Sequence, residues 1–119
     1  MNREIPEPPG IEVIADRRGD QTVLKVIGEI DVATVDEFTT AAREHLEQTP
    51  VVFDMCETAF MDSTGVRALD GLMREAEAKG WTFALGSDMH RNVRHVLELT
   101  GVLDVIPLQD VPTAPDNGG

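Results

Sequence analysis

Residues 51–80, VVFDMCETAFMDSTGVRALDGLMREAEAKG, read as a short strand, a polar loop and a long helix. Val51, Val52 and Phe53 follow Pro50 as an apolar run of strand length. From about Ser63 to Lys79, Val66, Leu69, Met73 and Ala76 recur at helical spacing as an inner stripe, leaving Arg67, Asp70, Arg74 and Glu77 for solvent. Gly80 ends that helix, because glycine enters the left-handed conformation without steric cost. A loop from Asp54 to Gly65 joins the two elements and delivers Asp62, Ser63 and Thr64 to the helix start. Strand then helix is one unit of a parallel sheet.

On the N-terminal side, Ile11, Val13 and Ala15 alternate as in a half-buried strand. Arg17 to Asp20 supply a turn and Thr22 to Ile27 a second strand, so the two form an antiparallel hairpin. Thr34 and Glu37 have the spacing of a capping box, opening a helix with Val35, Phe38, Ala42 and Leu46 on its inner face. On the C-terminal side, Trp81, Phe83 and Leu85 predict a strand. A third helix carries Val93, Val96, Leu97 and Thr100 and stops at Gly101, and Val105 and Ile106 predict a short last strand before Pro107. The order ββαβαβα(β) predicts an α/β fold: a small mixed sheet, antiparallel in its N-terminal hairpin and parallel afterwards, packed by amphipathic helices. Residues 1–10 and 111–119, rich in proline and glycine, read as flexible ends around one domain over 11–110.

The 119 residues suffice for one domain with a real core, and their net charge is −12. That sign argues against nucleic acid as a partner. The charge is uneven: residues 29–62 hold nine acids and one base, Arg43, whereas residues 67–94 hold four acids and five bases. A partner approaching the acidic third should offer basic groups and bind less well in salt. The N-terminal stretch lacks the apolar core of a signal peptide, and no run approaches the ~20 apolar residues of a membrane span. With one cysteine, Cys56, no internal disulfide is possible; a cytoplasmic protein without membrane insertion is expected. No base lies beside Cys56 to make it a thiolate, so it reads as a buried apolar side chain.

In chains of βα units the loops leaving the C-terminal ends of strands carry function. Here that loop ends in Asp62-Ser63-Thr64-Gly65. Asp, Ser and Thr are ordinary helix caps, and capping alone accounts for them on spacing. Gly65, a poor helix former in a first turn, points to close approach by something else. The unpaired N–H groups of the helix start offer donors to a phosphate on Ser63. An enzyme is not indicated. Ser63 lacks a G-x-S-x-G elbow, no motif ties His45, His90 or His95 to it, and His90 and His95 are five apart rather than the four of a metal pair. Asp54 ends a strand as a receiver-domain phosphoacceptor would, but neither the acidic pair nor the late lysine of receivers accompanies it. No phosphate-binding loop or dinucleotide fingerprint occurs, and no cofactor or metal is expected.

Phe60-Met61-Asp62-Ser63-Thr64-Gly65-Val66 resembles the phosphorylation-site motif of the STAS domain found in anti-sigma factor antagonists. Gly28-Glu29-Ile30-Asp31, Val51-Val52-Phe53-Asp54 and Leu97-Glu98-Leu99-Thr100-Gly101-Val102, leading to Val105-Ile106, agree in order and spacing, so the similarity spans about residues 11–108. The resemblance implies the STAS fold and an antagonist that binds an anti-sigma factor, often a serine kinase of the histidine-kinase-like ATPase fold, and so frees the sigma factor. It implies phosphorylation of Ser63 by that kinase, with Thr64 the lesser candidate, release of the phosphorylated form, and restoration by a phosphoserine phosphatase. Asp31 and Asp62 match acidic positions bordering the partner surface, which also takes in Ser63, Thr64 and Gly65. Many members continue Gly-Leu-Gly where this chain has Gly65-Val66-Arg67, so Arg67 puts a charge into the first turn facing a partner. Stand-alone STAS domains also serve as accessory subunits of lipid-transport ATPases and as stress-signalling scaffolds, and these are the rival roles.

Overall fold

The computed structural model describes residues 10–113; residues 1–9 and 114–119, most of the two expected flexible ends, lie outside the described residues. β1 (Ile11–Arg18) and β2 (Gln21–Ile30) form the expected antiparallel hairpin, with Ile11 opposite Gly28 and Arg18 opposite Gln21. Then follow α1 (Val35–Leu46), β3 (Val51–Asp54), β4 (Thr58–Met61), α2 (Ser63–Lys79), β5 (Phe83–Gly86), α3 (Arg91–Leu99), a 3-10 turn (Val102–Asp104) and β6 (Leu108–Gln109). The sheet runs β1-β2-β3-β5-β6, parallel from β2 onward, with β4 pairing β2 beyond the end of β3.

Each crossover steps the same way along the sheet, and parallel crossovers are right-handed, so the three helices gather on one face. There Leu24, Val26 and Ile30 of β2, Val51 and Phe53 of β3, and Phe83 and Leu85 of β5 join Phe38, Ala42, Leu46, Leu69, Leu72, Ala76, Val93 and Leu97 in one buried core. Phe53 sits at its centre, 5.6 Å from the Phe38 ring and edge-on to Phe83 at 5.4 Å. The alternate residues Val23, Val52 and Ala84 align across the other face and are also buried. The chain after β6 returns on that side: Val111 packs on Gly86, and the Arg18 guanidinium donates to the Pro112 carbonyl.

Several expectations need correction. Thr58–Met61, read as loop, is a strand: β2 is ten residues long and extends past β3, leaving backbone groups that β4 pairs. The break between β3 and β4 is a turn in which Asp54 accepts the Cys56 N–H at 3.0 Å and Met55 O accepts the Thr58 N–H at 3.1 Å. Met55 fills the core from this turn, so Cys56 is exposed rather than buried. The last strand is Leu108–Gln109, not Val105–Ile106; Ile106 is buried at the end of the 3-10 turn, and Pro107 precedes the ladder. Trp81 lies before β5, its ring under the Lys79 ammonium at 4.7 Å. On α2 the buried stripe is Gly65, Leu69, Leu72 and Ala76, with Val66 and Met73 at its flank.

Candidate functional site

β2 and β4 end side by side, Ile30 opposite Met61, and the Asp62 N–H donates to the Ile30 carbonyl at 3.3 Å. The turns that follow therefore lie on one rim of the sheet and bring Asp31 close to Asp62. In the first turn the Asp31 carboxylate accepts the Ala33 N–H at 2.9 Å. Thr34 is the N-cap residue of α1, but the expected capping box does not form. Its hydroxyl turns back, donating to the Glu29 carbonyl at 2.7 Å and accepting the Asp31 N–H at 3.0 Å.

The second turn is capped by its acid. Asp62 holds an extended conformation and its Oδ1 accepts the Thr64 N–H at 2.9 Å. Ser63 is the first helical residue and is exposed; Thr64 is half-buried. Gly65 is buried for the reason its position suggested: a Cβ there would lie 2.5 Å from Met61 Cγ and 2.9 Å from Ile30 Cγ2. Its small size lets the first turn of α2 settle on the ends of β2 and β4. Arg67 is exposed one turn further along α2. Asp70 and Arg74 pair with each other at 3.2 Å, as their spacing on a solvated face predicts.

Three donors of this helix start are already engaged. Besides the Thr64 N–H held by the carboxylate, the Gly65 and Val66 N–H groups donate to the Asp62 carbonyl at 3.0 and 3.2 Å. A phosphate on Ser63 would not find the empty cradle expected from a bare helix N-terminus; it must compete with Asp62, a like charge on the neighbouring residue.

Outside the rim the charged groups tie elements together. Arg43 of α1 meets Glu75 of α2 at 3.0 Å, and this hydrogen bond holds the Glu75 carboxyl below the usual glutamate value of 4.5. Glu57, beside Cys56, hydrogen-bonds Lys25 and raises the lysine above 10.5. His90 caps α3, its Nδ1 accepting the Asn92 N–H at 3.2 Å, while His45 is half-buried and His95 exposed. Among the described residues no three His, Cys, Asp or Glu side chains are grouped as metal ligands. No helix there is long and apolar enough to cross a membrane. Two clefts that share Pro50 and Thr82 lie at the N-terminal ends of the strands, the far end from Ser63.

The STAS domain family matches residues 11–114. The chain belongs to that family. STAS likeness extends to solved structures. An anti-sigma factor antagonist from Mycobacterium paratuberculosis superposes with a TM-score of 0.73 at 23% identity, over 85% of this chain and 86% of that one. The anti-sigma factor antagonist SpoIIAA in its unphosphorylated form gives 0.67 at 23% identity, over 84% and 88%. The Bacillus cell fate determinant SpoIIAA in its phosphorylated form gives 0.61 at 23% identity, over 84% and 91%. At these identities the likeness establishes the mixed sheet and its helices as the STAS fold.

Proposed function

We propose that this protein is an anti-sigma factor antagonist that binds an anti-sigma factor, itself a serine kinase, and thereby frees the sigma factor. Phosphorylation of Ser63, with Thr64 a secondary acceptor, switches it off, and a phosphoserine phosphatase restores it. The observation that carries this reading is Ser63 itself: exposed, directly after the capping Asp62, on a rim shared with Asp31. Membership of the STAS family and the fold of antagonists solved with and without phosphate support it. The contact surface is Asp31, Asp62, Ser63, Thr64 and Arg67, with Gly65 setting its shape. The protein acts in the cytoplasm by binding, without a reaction, cofactor or metal of its own.

The switch has to be local. Phosphorylation adds about −1.5 to −2 charges to a protein that is already acidic, which strengthens its long-range attraction to a basic partner. Release follows instead from a phosphate that finds the Thr64, Gly65 and Val66 N–H groups already engaged and would be buried beside Asp62. The test is to incubate the purified protein with anti-sigma serine kinases and ATP and to map the added mass. One phosphate on Ser63, with a minor fraction on Thr64, is expected. Modification confined to other residues, or none by any such kinase, overturns the reading, and co-purification with a lipid permease would favour the transport role.

A further inference from the structure

The turn joining β2 to α1 shows an apolar side chain where a polar one would be soluble at no cost. Val32 is 80% exposed, the highest value among the exposed large apolar side chains of the described residues. It does not ride on a loose loop. The Asp31 carboxylate holds the Ala33 N–H, the buried Thr34 hydroxyl bridges Glu29 and Asp31, and the Thr34 and Val35 N–H groups both return to the Asp31 carbonyl, at 3.1 and 2.9 Å. Val32 is thus held out to solvent on a fixed frame. The frame stands beside the Asp62–Ser63 turn, because Ile30 and Met61 are paired immediately before the two turns. Along the chain the charge beside it has one sign: Glu29, Asp31, Asp36 and Glu37 are acids, and no base lies between Glu29 and Ala42. A single exposed valine needs no explanation. An immobilised one, between acids and next to the switch residue, has the arrangement of an interface hot spot, an apolar centre within a polar rim.

We infer that Val32 anchors the partner and sets its specificity, entering a small apolar pocket on the anti-sigma kinase that is bordered by arginine or lysine. The inference rests on the antagonist reading and names the contact that reading leaves open. Since the turn is already ordered, binding costs little conformational entropy, and the methyl groups leave water at the moment of docking. The acids steer the approach and Val32 decides which basic surface fits.

The experiment uses the anti-sigma kinase that phosphorylates Ser63, purified, and measures its affinity for the native protein and for Val32→Ala, Val32→Thr and Leu99→Gln. Val32→Ala should weaken binding about tenfold, and Val32→Thr, which keeps the shape but adds a hydroxyl, several-fold. Leu99 is 73% exposed on α3, and its substitution should leave affinity unchanged. Thermal unfolding should be alike for native protein and both Val32 variants. If Ser63 is phosphorylated but both Val32 variants bind within twofold of native, the anchor is wrong and the antagonist reading stands. If no kinase modifies Ser63, both fall together.

Discussion

Two helices start side by side on one rim, and they satisfy their first turns differently. At α1 the N-cap threonine is spent inside the preceding turn, bonded to Glu29 and Asp31, and is buried. At α2 the cap is an acid, Asp62, whose carboxylate holds the Thr64 N–H beside an exposed serine. The first start is a fixture. The second depends on a negative group at a place where a second negative group can be added, and only it can change when a phosphate arrives. In the switch proposed here, the deciding feature is less an exposed hydroxyl than an exposed hydroxyl next to an anionic cap.

The strongest way to break the second start is to remove the close approach beneath it. Gly65→Val should cost about 3 kcal/mol in urea unfolding, since its side chain would occupy the space of Met61 and Ile30. Gly71, a glycine of the same helix with open space around it, should accept alanine with a gain of up to about 1 kcal/mol. Equal effects at the two glycines would contradict the packing argument. Next in size come the two caps. Thr34→Ala should cost about 2 kcal/mol, because it removes a buried hydroxyl that serves both the Glu29 carbonyl and the Asp31 N–H. Asp62→Ala should cost about 1 kcal/mol, the ordinary value of a lost cap. The comparison sharpens in a Ser63→Asp background: there Asp62→Ala should cost less, because the new carboxylate takes over the N–H, whereas Thr34→Ala should cost the same. Additive effects of the Asp62 and Ser63 changes would show that the two groups do not compete.

The smallest effect is at the opposite reach of the same two helices, where Arg43 meets Glu75. The arginine holds the glutamate below 4.5, so the pair contributes stability above that pH and loses it as pH falls through the depressed value. Unfolding of native protein and Glu75→Gln, followed from pH 7 to pH 3, should differ slightly at pH 7 and converge in acid. A difference independent of pH would remove the ion pair from the account. Both partners are solvated, so added salt should shrink the effect as well.

Much of this was legible in the sequence, and the failures have physical causes. The hairpin, α1, β3, α2 and α3 follow from periodicity and from Gly80 and Gly101, because burial on one face imposes those patterns directly. Gly65 was readable as a close approach, though not its cause, since Met61 and Ile30 meet it only through strand pairing. β4 escaped because Thr58-Ala59-Phe60-Met61 has no alternation; it forms to pair the overhang of β2, a tertiary demand that no local pattern encodes. The capping box failed at Thr34 for a related reason. Spacing alone does not reveal that the hydroxyl has a better offer from Glu29 and Asp31. Cys56 misled because burial preference is a property of residue type, whereas its place at the tip of a turn was set by Asp54 and Met55. At the site, the residues Asp31, Asp62, Ser63 and Thr64 were visible as a motif, but the engagement of the helix donors by Asp62 was visible only in three dimensions.

The central claim is that one phosphate on Ser63 abolishes partner binding through a local clash with the Asp62 cap. It is tested most directly by the affinity of the anti-sigma kinase for the unmodified and the Ser63-phosphorylated protein, measured by calorimetry at physiological salt. The account predicts a loss of about a hundredfold or more on phosphorylation, the scale of a buried charge without a partner. Equal affinities for the two forms would contradict it.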